Sequence, residues 1–465
     1  MHRATTTCRV GAEQRVEESE SKSEESNNTR PVRLRRTSPA LRIIYLILIC
    51  FAAPVATLVA WLRGLGDSSR RVRLADRWGR PAVAVDPDAA IPKTIWVHAA
   101  SLGEVQAGAV LIREILARYP RHRVVVTTMT STGAARVRSL FADRVTHCYL
   151  PYDLPFAVRG FLNRVRPQAS IILETELWPN LLRACAADRI PVLVASARIS
   201  PRTAASYRRL RRLFADSLRE VVVAAQTPGD AERFRALGAG DVRVLGNLKF
   251  DIEIPQAVRD TGGSLRADFA RRFVWVAGST HAGEEAVALA VHRRLRERIT
   301  DALLIVVPRH PQRFDEVRAL LAAGSLPFAT RTNFTSMRSD VAVLLGDTLG
   351  ELLNFYAAAD VAFVGGSLVP VGGHNLLEPA ALGVPILCGP FLESTRDVAT
   401  LLIGVGAAIQ VASETELATQ LQQWAMDPAL RRVAGQCGIQ VVVDNRGAVT
   451  NLLALFATQL EPRLR

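Results

Sequence analysis

Short apolar, β-branched runs alternate with helix-length segments along this chain, and this alternation strongly limits the folds that it can adopt. The runs form two series, one before residue 200 and one after residue 270, and each run is followed by helical periodicity. They lie at residues 94–97, 124–128, 170–173, 192–195, 273–277, 303–307, 341–345, 361–364 and 385–388. Because strands that alternate with helices form parallel sheets covered on both faces, the pattern predicts an α/β fold with two doubly wound, Rossmann-like domains.

The boundary between the domains is predicted where the pattern is interrupted. A chain of 465 residues is too long for one hydrophobic core. Pro255 and the Gly262-Gly263 pair break the periodicity between the two series. We therefore expect a first domain over residues 66–255 and a second over residues 256–465.

The N-terminal region has a different composition. Residues 1–40 combine an acidic Ser/Glu run with a basic run and have few periodic apolar residues, which predicts a disordered extension. Residues 43–62 contain no charge, and about 20 helical residues match the hydrocarbon layer of a bilayer. We predict a membrane anchor over residues 41–65, against a cleaved signal peptide or a buried core helix. Pro54 leaves open a shallow interfacial helix instead of a full span.

The expected role of this region is limited to attachment. The series of strands and loops begins only at Thr94, so we expect residues 1–62 to tether the protein without forming its active site.

Charge and cysteine usage exclude some classes of protein. The net charge of +14 favours an anionic partner, which could be a nucleic acid, a phospholipid surface or a phosphorylated substrate. The charge is not gathered on one aromatic-rich module, which argues against nucleic-acid binding. The six cysteines are far apart without a C-x-x-C pair, so neither a zinc site nor a disulfide framework is indicated, and reduced cytoplasmic thiols are expected.

Missing motifs narrow the function further. No G-x-G-x-x-G follows the first run and no G-x-x-x-x-G-K-[ST] occurs, which argues against a dinucleotide dehydrogenase and a P-loop ATPase. A lone D-x-D, Asp86-Pro87-Asp88, precedes the first strand in a Pro/Ala-rich segment and is interpreted as a turn. No metal site is predicted.

In the first half, acidic residues follow predicted strands, where ligands bind in such sheets. Glu104 falls in the first turn of a helix, where the dipole favours the ionised carboxylate that a general base needs; ordinary helix capping is the alternative. Glu174 and Glu176 stand beside Trp178, a combination suited to sugar recognition or, alternatively, a solvated turn. Lys249 lies where the domains should meet and could reach a phosphate or carboxylate, although a surface lysine is the commoner case.

In the second half, the corresponding loops suit an anionic ligand. Residues 278–285 open a helix and offer backbone amides and hydroxyls to an anion. Arg309 and Arg313 could neutralise a phosphate and a neighbouring carboxylate. Glycines at 365–366 and 372–373 allow a ligand to approach the backbone, and Glu378 is placed to accept hydrogen bonds from ribose hydroxyls. A single Gly-Gly pair usually marks only a turn, but several such loops at one sheet edge predict a nucleotide site.

Taken in order, these loops resemble the motif series of the bacterial transferases of 3-deoxy-D-manno-octulosonic acid (Kdo). The resemblance covers residue 41 to the C-terminus and rests on residues 98–104, 127–130, 150–155, 174–180, 246–251, 279–285, 308–314 and 365–378. It implies the GT-B architecture, in which two Rossmann-like domains face a cleft. The first domain would bind the acceptor and the second would bind CMP-Kdo.

The resemblance also implies roles for single residues. Glu104 would be the proton acceptor, and Glu174 and Lys249 would stabilise the transition state. The contacts to CMP would be Pro308, Arg309, Leu349, Gly350, Glu351, Asn375, Leu376, Leu377 and Glu378. Ser196 stands where the family often has Asn, and Leu349 where Met is common, so some contacts are expected to differ.

The reaction implied by the resemblance is transfer of Kdo from CMP-Kdo to a lipid A precursor, lipid IVA, in lipopolysaccharide core biosynthesis. It would invert the anomeric configuration and need neither metal nor cofactor. The partners would be these two substrates and the inner membrane, with the catalytic domains on the cytoplasmic side and no nucleic acid. A nucleotide-sugar epimerase of the same architecture would share the second-domain loops but would have no use for a membrane anchor.

Overall fold

The structure is a computed structural model that describes residues 39–66, 73–83, 93–209, 211–334, 338 and 340–459. The predicted disordered extension, residues 1–40, lies outside these ranges except for its last two residues. The D-x-D turn at residues 86–88 also lies outside them.

The first sheet has seven parallel strands in the order β3-β2-β1-β4-β5-β6-β7. The chain starts in the middle at β1, builds outward to β3, then returns to β4 on the other side of β1. The strands are β1 (Thr94–His98), β2 (Arg123–Thr128), β3 (Thr146–Tyr149), β4 (Pro167–Leu173), β5 (Val192–Ala197), β6 (Val221–Ala225) and β7 (Asp241–Val244).

The second sheet repeats this plan with seven parallel strands in the order β10-β11-β9-β8-β12-β13-β14. Its strands are β8 (Val274–Thr280), β9 (Leu303–Pro308), β10 (Phe328–Thr330), β11 (Val343–Leu345), β12 (Val361–Val364), β13 (Ile386–Cys388) and β14 (Ala408–Gln410). Each of the runs predicted from sequence lies in one of these strands or overlaps it, and the two parallel-sheet α/β domains of the GT-B type are confirmed.

Helices cover both faces of each sheet. Before and within the first sheet they are α1 (Pro39–Gly66), α2 (Leu74–Arg77), α3 (Leu102–Ala107), α4 (Ala109–Arg118), α5 (Ser131–Phe141), α6 (Pro155–Val165), α7 (Pro179–Ala187), α8 (Pro201–Arg209), α9 (Arg211–Leu218) and α10 (Pro228–Leu237). Those that follow are α11 (Gln256–Asp268), α12 (Glu284–Arg296), α13 (Phe314–Ala323), α14 (Leu352–Ala357), α15 (Leu377–Ala381), α16 (Arg396–Gly404), α17 (Glu414–Met426), α18 (Pro428–Asp444) and α19 (Ala448–Gln459).

The last helix returns to the first domain. The apolar face of α19, including Leu452 and Phe456, packs into the core formed by β1, β4 and α4. The crossover before it is held by Asp251, whose carboxylate accepts hydrogen bonds from the amides of Gly447 (2.7 Å) and Val449 (2.8 Å). The predicted second domain covers all of residues 256–465, whereas α19 within that range buries its apolar side on the first domain.

The predicted anchor region forms helix α1. Residues 39–62 of this helix are long and apolar enough to cross a membrane, with a mean hydropathy of 2.6 over the most apolar 18 residues, and Pro54 does not end the helix. By length and composition it is suited to be an anchor.

Candidate functional site

The two sheets each have one position where the order of the strands reverses direction. In the first sheet it lies between β1 and β4, and in the second between β8 and β12. The loops after two such strands run to opposite faces of the sheet and leave a crevice between them, which is where α/β sheets bind ligands. Glu104 follows β1 and Glu174 follows β4, so the fold brings both predicted acidic residues to the crevice of the first sheet.

Glu104 is part of the N-terminal cap of α3. Its carboxylate accepts hydrogen bonds from the amide of Ala100 (2.7 Å) and the hydroxyl of Ser101 (3.0 Å). In return, the amide of Glu104 donates to the Ser101 hydroxyl at 3.3 Å. This reciprocal arrangement orients the carboxylate and shows that the capping contacts considered from sequence are present.

The pKa of Glu104 is higher than its position at a helix N-terminus predicts. The helix terminus and the two hydrogen bonds favour the ionised form, but burial outweighs them and, with the nearby Glu174 and Glu176, raises the pKa of Glu104 to about 7. A carboxylate whose pKa lies near neutral pH suits general-base catalysis better than a strongly acidic one. Its role as the base stays a prediction.

Lys249 and Glu174 form an ion pair. The distance from Lys249 Nζ to Glu174 Oε1 is 3.1 Å, and both side chains are partly exposed. Lys249 lies on a 3₁₀ turn, Leu248–Phe250, whose first residue is preceded by Asn247; the Asn247 side chain accepts a hydrogen bond from the Lys249 amide at 3.0 Å. The structure therefore pairs the two residues, in contrast to the alternative of a solvated surface lysine.

The backbone at this crevice is strained. Glu174 and Ser196 have φ angles of +58° and +52°, a left-handed conformation that costs non-glycine residues free energy. Ser196 accepts hydrogen bonds at its hydroxyl from the Gln226 side chain (3.2 Å) and the Leu248 amide (3.3 Å), which ties β5 to the turn that carries Lys249. Such strain is found mainly where the surrounding structure holds a functional side chain in place.

Glu176 completes a group of three carboxylates. Its Oε2 accepts a hydrogen bond from the Trp178 indole at 2.8 Å, and burial raises its pKa. With Glu104 and Glu174 it concentrates negative charge beside Lys249. The crevice is therefore suited to take a proton from a hydroxyl group.

In the second domain, one predicted anion site is occupied by the protein itself. The carboxylate of Glu284, which is 1% exposed, accepts hydrogen bonds from four backbone amides. These amides belong to His281 (2.9 Å), Gly366 (2.7 Å), Ser367 (3.1 Å) and Leu368 (2.9 Å). The expectation that residues 278–285 offer their backbone amides to a ligand is therefore wrong for His281. Glu284 binds the amide of His281 and the amides of residues 366–368, and it thereby joins the loops after β8 and β12.

The two arginines after β9 have different environments. Arg313 is bound by Glu285, with 2.5 Å between Nη1 and Oε1, and by Glu316 at 2.8 Å. The expectation that Arg313 neutralises a ligand is therefore not supported by its contacts. Arg309 forms no ion pair within the part of the chain that the structure describes, and its positive charge acts on Glu378 and His374.

Glu378 and Asn375 lie beside Arg309. Asn375 Nδ2 donates to Glu378 Oε1 at 3.1 Å, while Asn375 Oδ1 accepts from the Leu377 amide at 3.0 Å. Burial raises the pKa of Glu378, and Asn375, Arg309 and Arg136 partly oppose this shift. The structure thus brings together Arg309, Asn375 and Glu378. Pro308, Leu376 and Leu377 are their immediate neighbours in the chain.

The third predicted CMP-binding segment follows a neighbouring strand. Leu349, Gly350 and Glu351 come after β11, which pairs with β9, the strand that precedes Arg309. The side chain of Leu349 is 76% exposed, whereas the carboxylate of Glu351 is held by the Arg331 guanidinium at 2.8 Å and by the Thr348 hydroxyl. The carboxylate of Glu351 therefore already has protein partners.

Two features near the loops predicted to bind CMP were not expected from the sequence. His281, His310 and His374 form a cluster, with 2.8 Å between the Nε2 atoms of His281 and His374, and burial beside Arg309 lowers the pKa of His374 to about 4. Arg136, on α5 of the first domain, is close enough to influence Arg309 and Glu378 electrostatically. Each histidine stands in a different loop, so only the folded structure reveals the cluster.

The two domains also contact one another directly. Arg198, in the loop after β5, forms an ion pair with Asp397 on α16, with 3.0 Å between Nε and Oδ2. Together with Arg136, this contact places the loops of the first sheet opposite those of the second. Within the described residues, no group of three or more His, Cys, Asp or Glu side chains is arranged to hold a metal ion.

Comparison with known proteins identifies the family. The profile described as 3-deoxy-D-manno-octulosonic-acid transferase (kdotransferase) matches residues 72–252. The 3-deoxy-D-manno-octulosonic acid transferase of Haemophilus influenzae is 36% identical over 425 residues, which is 90% of this chain and 99% of the relative. That of Bordetella pertussis is 36% identical over 431 residues, which is 89% of this chain and 98% of the relative.

A solved structure supports the fold alone. The UDP-GlcNAc 2-epimerase of Neisseria meningitidis bound to UDP-GlcNAc is 12% identical, with a TM-score of 0.53 and coverage of 79% of this chain and 100% of that one. At this identity the likeness extends to the two-domain architecture and does not favour epimerase activity. Because the transferases match over almost their whole length, this chain belongs to the family of 3-deoxy-D-manno-octulosonic acid transferases, which are glycosyltransferases.

Proposed function

We propose that this protein transfers Kdo from CMP-Kdo to a lipid A precursor, lipid IVA, during lipopolysaccharide biosynthesis. The observation that carries the proposal is the position of Glu104. A carboxylate with a pKa near 7 lies beside the Lys249–Glu174 pair, at the strand crossover of one sheet and opposite the basic loops of the other.

The proposed reaction is a single displacement. Glu104 takes the proton from an acceptor hydroxyl while the hydroxyl oxygen forms a bond to the anomeric carbon of Kdo. The bond from that carbon to the CMP phosphate breaks, and CMP leaves with the bonding electron pair. Attack opposite to the leaving group inverts the anomeric configuration.

In this mechanism, positively charged side chains stabilise the leaving group, a role that a metal ion has in many nucleotide-sugar transferases. Lys249, held by Glu174, and Arg309 would stabilise the negative charge that develops on CMP. No metal or cofactor is part of this mechanism. Asn375 and Glu378 would hold the nucleotide together with the neighbouring residues Pro308, Leu376 and Leu377, and Leu349, Gly350 and Glu351 would contribute mainly backbone contacts.

The two domains would divide the substrates. The first domain, residues 66–255 with α19 packed against it, would bind the acceptor, and the rest of residues 256–465 would bind CMP-Kdo. Helix α1 would hold both domains on the cytoplasmic side of the inner membrane.

The proposed activity can be tested in one incubation. The protein is mixed with CMP-Kdo and tetraacylated lipid A precursor in detergent, and the product is read by mass spectrometry. A mass increase of the acceptor by one or more Kdo units supports the proposal. Release of CMP that is independent of the acceptor, with no modified lipid, would favour the epimerase-like alternative.

The rate of transfer should depend on pH through Glu104. Because the pKa of Glu104 is raised to about 7, its carboxylate is mostly protonated at pH 6 and mostly ionised at pH 8. We therefore expect kcat/KM to fall about tenfold for each pH unit below the pKa, while CMP binding changes less. Initial rates between pH 5.5 and 8.5 will check this; a profile that is flat down to pH 5.5 would contradict it.

The nucleotide site can be tested by removing one charge at a time. Arg309→Ala and Glu378→Ala are each expected to weaken CMP binding about 10- to 100-fold, since each removes a charge-assisted contact worth about 1.5–3 kcal/mol. Arg293→Ala is the matched control, because Arg293 is exposed on α12 of the same domain. Calorimetric titration with CMP measures the effect, and unchanged affinity in both variants would place the nucleotide elsewhere.

A further inference from the structure

One face of helix α1 is docked on the first domain. Tyr45, Ile49, Ala53 and Thr57 are spaced four residues apart and therefore share one side of the helix, which we call the docked face. Tyr45 donates a hydrogen bond from its hydroxyl to Asp153 Oδ2 at 2.8 Å. Thr57 donates to the hydroxyl of Tyr152 at 3.1 Å. The helix is thus fixed to the domain at both ends of this face.

The middle of the docked face is packed without polar contacts. Ala53 is 1% exposed and lies in a small apolar cluster with Leu154 and Ala157 of the domain. Ile49 and Trp78 pack against the same cluster. The small side chains of Ala53 and Ala157 allow the helix to approach the domain closely, so the contact runs along the whole docked face.

The opposite side of α1 is apolar and uncovered. Ile44, Phe51 and Leu58, which are seven residues apart, are 53%, 75% and 54% exposed. We call this side the outer face. Near α1 on the domain itself, Phe156 is 60% exposed and stacks on Trp78, so the apolar surface continues beyond the helix.

The docked face is difficult to reconcile with a helix that crosses the bilayer. It extends over about 18 Å of helix, at about 1.5 Å per residue, and its centre coincides with the centre of the uncharged stretch 43–62. A crossing helix would carry Asp153 and the adjoining domain surface into a hydrocarbon layer about 30 Å thick. Charged and polar groups of a folded domain are strongly disfavoured there.

The same contacts connect α1 to the acceptor side of the crevice. Asp153 also accepts hydrogen bonds from the amides of Asn180 (2.9 Å) and Leu181 (2.8 Å), at the start of α7. This segment directly follows the loop that contains Glu174, Glu176 and Trp178. Tyr45 joins the same apolar cluster as Trp178 and Tyr207. Displacement of α1 would therefore remove a support of the loop that carries Glu174.

The charge around α1 fits an anionic lipid surface. Helix α8 contains no acidic residue, and Arg202 and Arg208 on it are exposed. Tyr207 on the same helix packs in the cluster that includes Tyr45. Basic side chains beside an apolar helix face are the combination that binds anionic phospholipid headgroups and acyl chains at the same time.

We propose that α1 lies flat on an anionic phospholipid surface, docked to the first domain through Tyr45 and Asp153, and forms the lipid-side wall of the acceptor site. This proposal rests on the proposed function in one respect, namely that the acceptor is a lipid. It departs from the expectation that residues 1–62 serve only as a tether. A lipid acceptor would then reach the crevice by lateral movement in the membrane surface.

The orientation of α1 can be measured without turnover. Single cysteines are introduced as Ile44→Cys, Phe51→Cys or Leu58→Cys in the full chain after its six native cysteines are replaced by Ala. Each is labelled with a fluorophore, and its depth is measured by brominated lipids in phosphatidylglycerol-containing vesicles. Equal depth at the three positions supports a flat helix. A steady change in depth of about 20 Å from position 44 to position 58, as in a spanning helix, would overturn it.

The coupling to the acceptor site is tested by Tyr45→Phe, which removes only the hydroxyl that binds Asp153. We expect kcat/KM for the lipid acceptor to fall about tenfold, since hydrogen bonds to charged groups are among the stronger ones. CMP affinity and vesicle binding should be unchanged. The contrasting variant is Phe51→Ser/Leu58→Ser on the outer face, which should lose most vesicle binding with unchanged CMP affinity.

The outcomes separate this inference from the proposed function. Wild-type use of the acceptor by Tyr45→Phe would refute the coupling, and wild-type vesicle binding by the outer-face variant would refute the lipid contact. A protein that lies flat on vesicles but does not transfer Kdo would refute the proposed function alone. A protein that transfers Kdo while its helix spans the bilayer would refute this inference alone.

Discussion

Replacement of Glu104 by Gln is expected to lower Kdo transfer by about 10²- to 10⁴-fold, the loss typical for removal of a general base. The amide keeps the size of the side chain and can still accept a hydrogen bond from Ala100, so the cap of α3 should persist. It cannot take up the proton of the acceptor hydroxyl. The measurement is the initial rate with CMP-Kdo and lipid acceptor at pH 8, where the carboxylate of the parent protein is mostly ionised.

A neighbouring carboxylate provides the control for this experiment. Glu176→Gln removes the same charge from the same crevice, but Glu176 is held by Trp178 and is not assigned the role of base. We expect a much smaller loss, and both variants should bind CMP normally because the nucleotide would lie in the other domain. Equal rates for Glu104→Gln and the parent protein would mean that another carboxylate, with Glu174 the first candidate, accepts the proton.

Replacement of Glu284 by Ala is expected to have the largest effect on stability. Its buried carboxylate accepts four backbone hydrogen bonds that join the loops after β8 and β12. Removal leaves these amides without their acceptor, so we expect the free energy of unfolding to fall by about 3–5 kcal/mol. CMP binding should also weaken, because the same loops lead into Asn375 and Glu378.

Urea unfolding followed by circular dichroism measures this loss, and calorimetry measures the affinity for CMP. The matched control is Glu414→Ala, since Glu414 is exposed in the first turn of α17 in the same domain and should change stability by less than about 0.5 kcal/mol. If Glu284→Ala were as stable as this control, water would be replacing the carboxylate, and the loops would not depend on it for their positions.

Most of the fold could be predicted because its strands are short, buried and apolar. Residues 274–277 and 303–307 are almost fully buried, and their sequences carry the unbroken apolar runs of central parallel strands. The strands that were missed include β3, β10 and β14, which lie at sheet edges and have only three or four residues. β6 has the same apolar signal as its neighbours and was missed although the sequence contains it.

The general position of the site could be predicted for a related reason. Parallel sheets expose the carboxyl ends of their strands at one edge, so a loop that follows a predicted strand must lie there. This places Glu104, Glu174, Arg309 and Glu378 at the crevices without knowledge of their contacts. The pairing of Lys249 with Glu174 could not be predicted, because it joins the loop after β4 to the turn after β7, 75 positions later in the chain.

The α/β class, the two-sheet organisation, the apolar helix and the loops that contain the site could therefore be inferred from the residues alone, since these depend on local periodicity and on the order of elements. The tertiary structure was needed to show which polar groups remain available to a ligand. It directs Glu284 to the amides of a loop more than 80 residues away, pairs Arg313 with Glu285, and leaves Arg309 beside Glu378. It likewise buries Glu104 enough to raise its pKa to about 7 and docks one face of α1 on the domain. Burial and the choice among competing hydrogen-bond partners depend on contacts between distant segments, which a local pattern of residues does not specify.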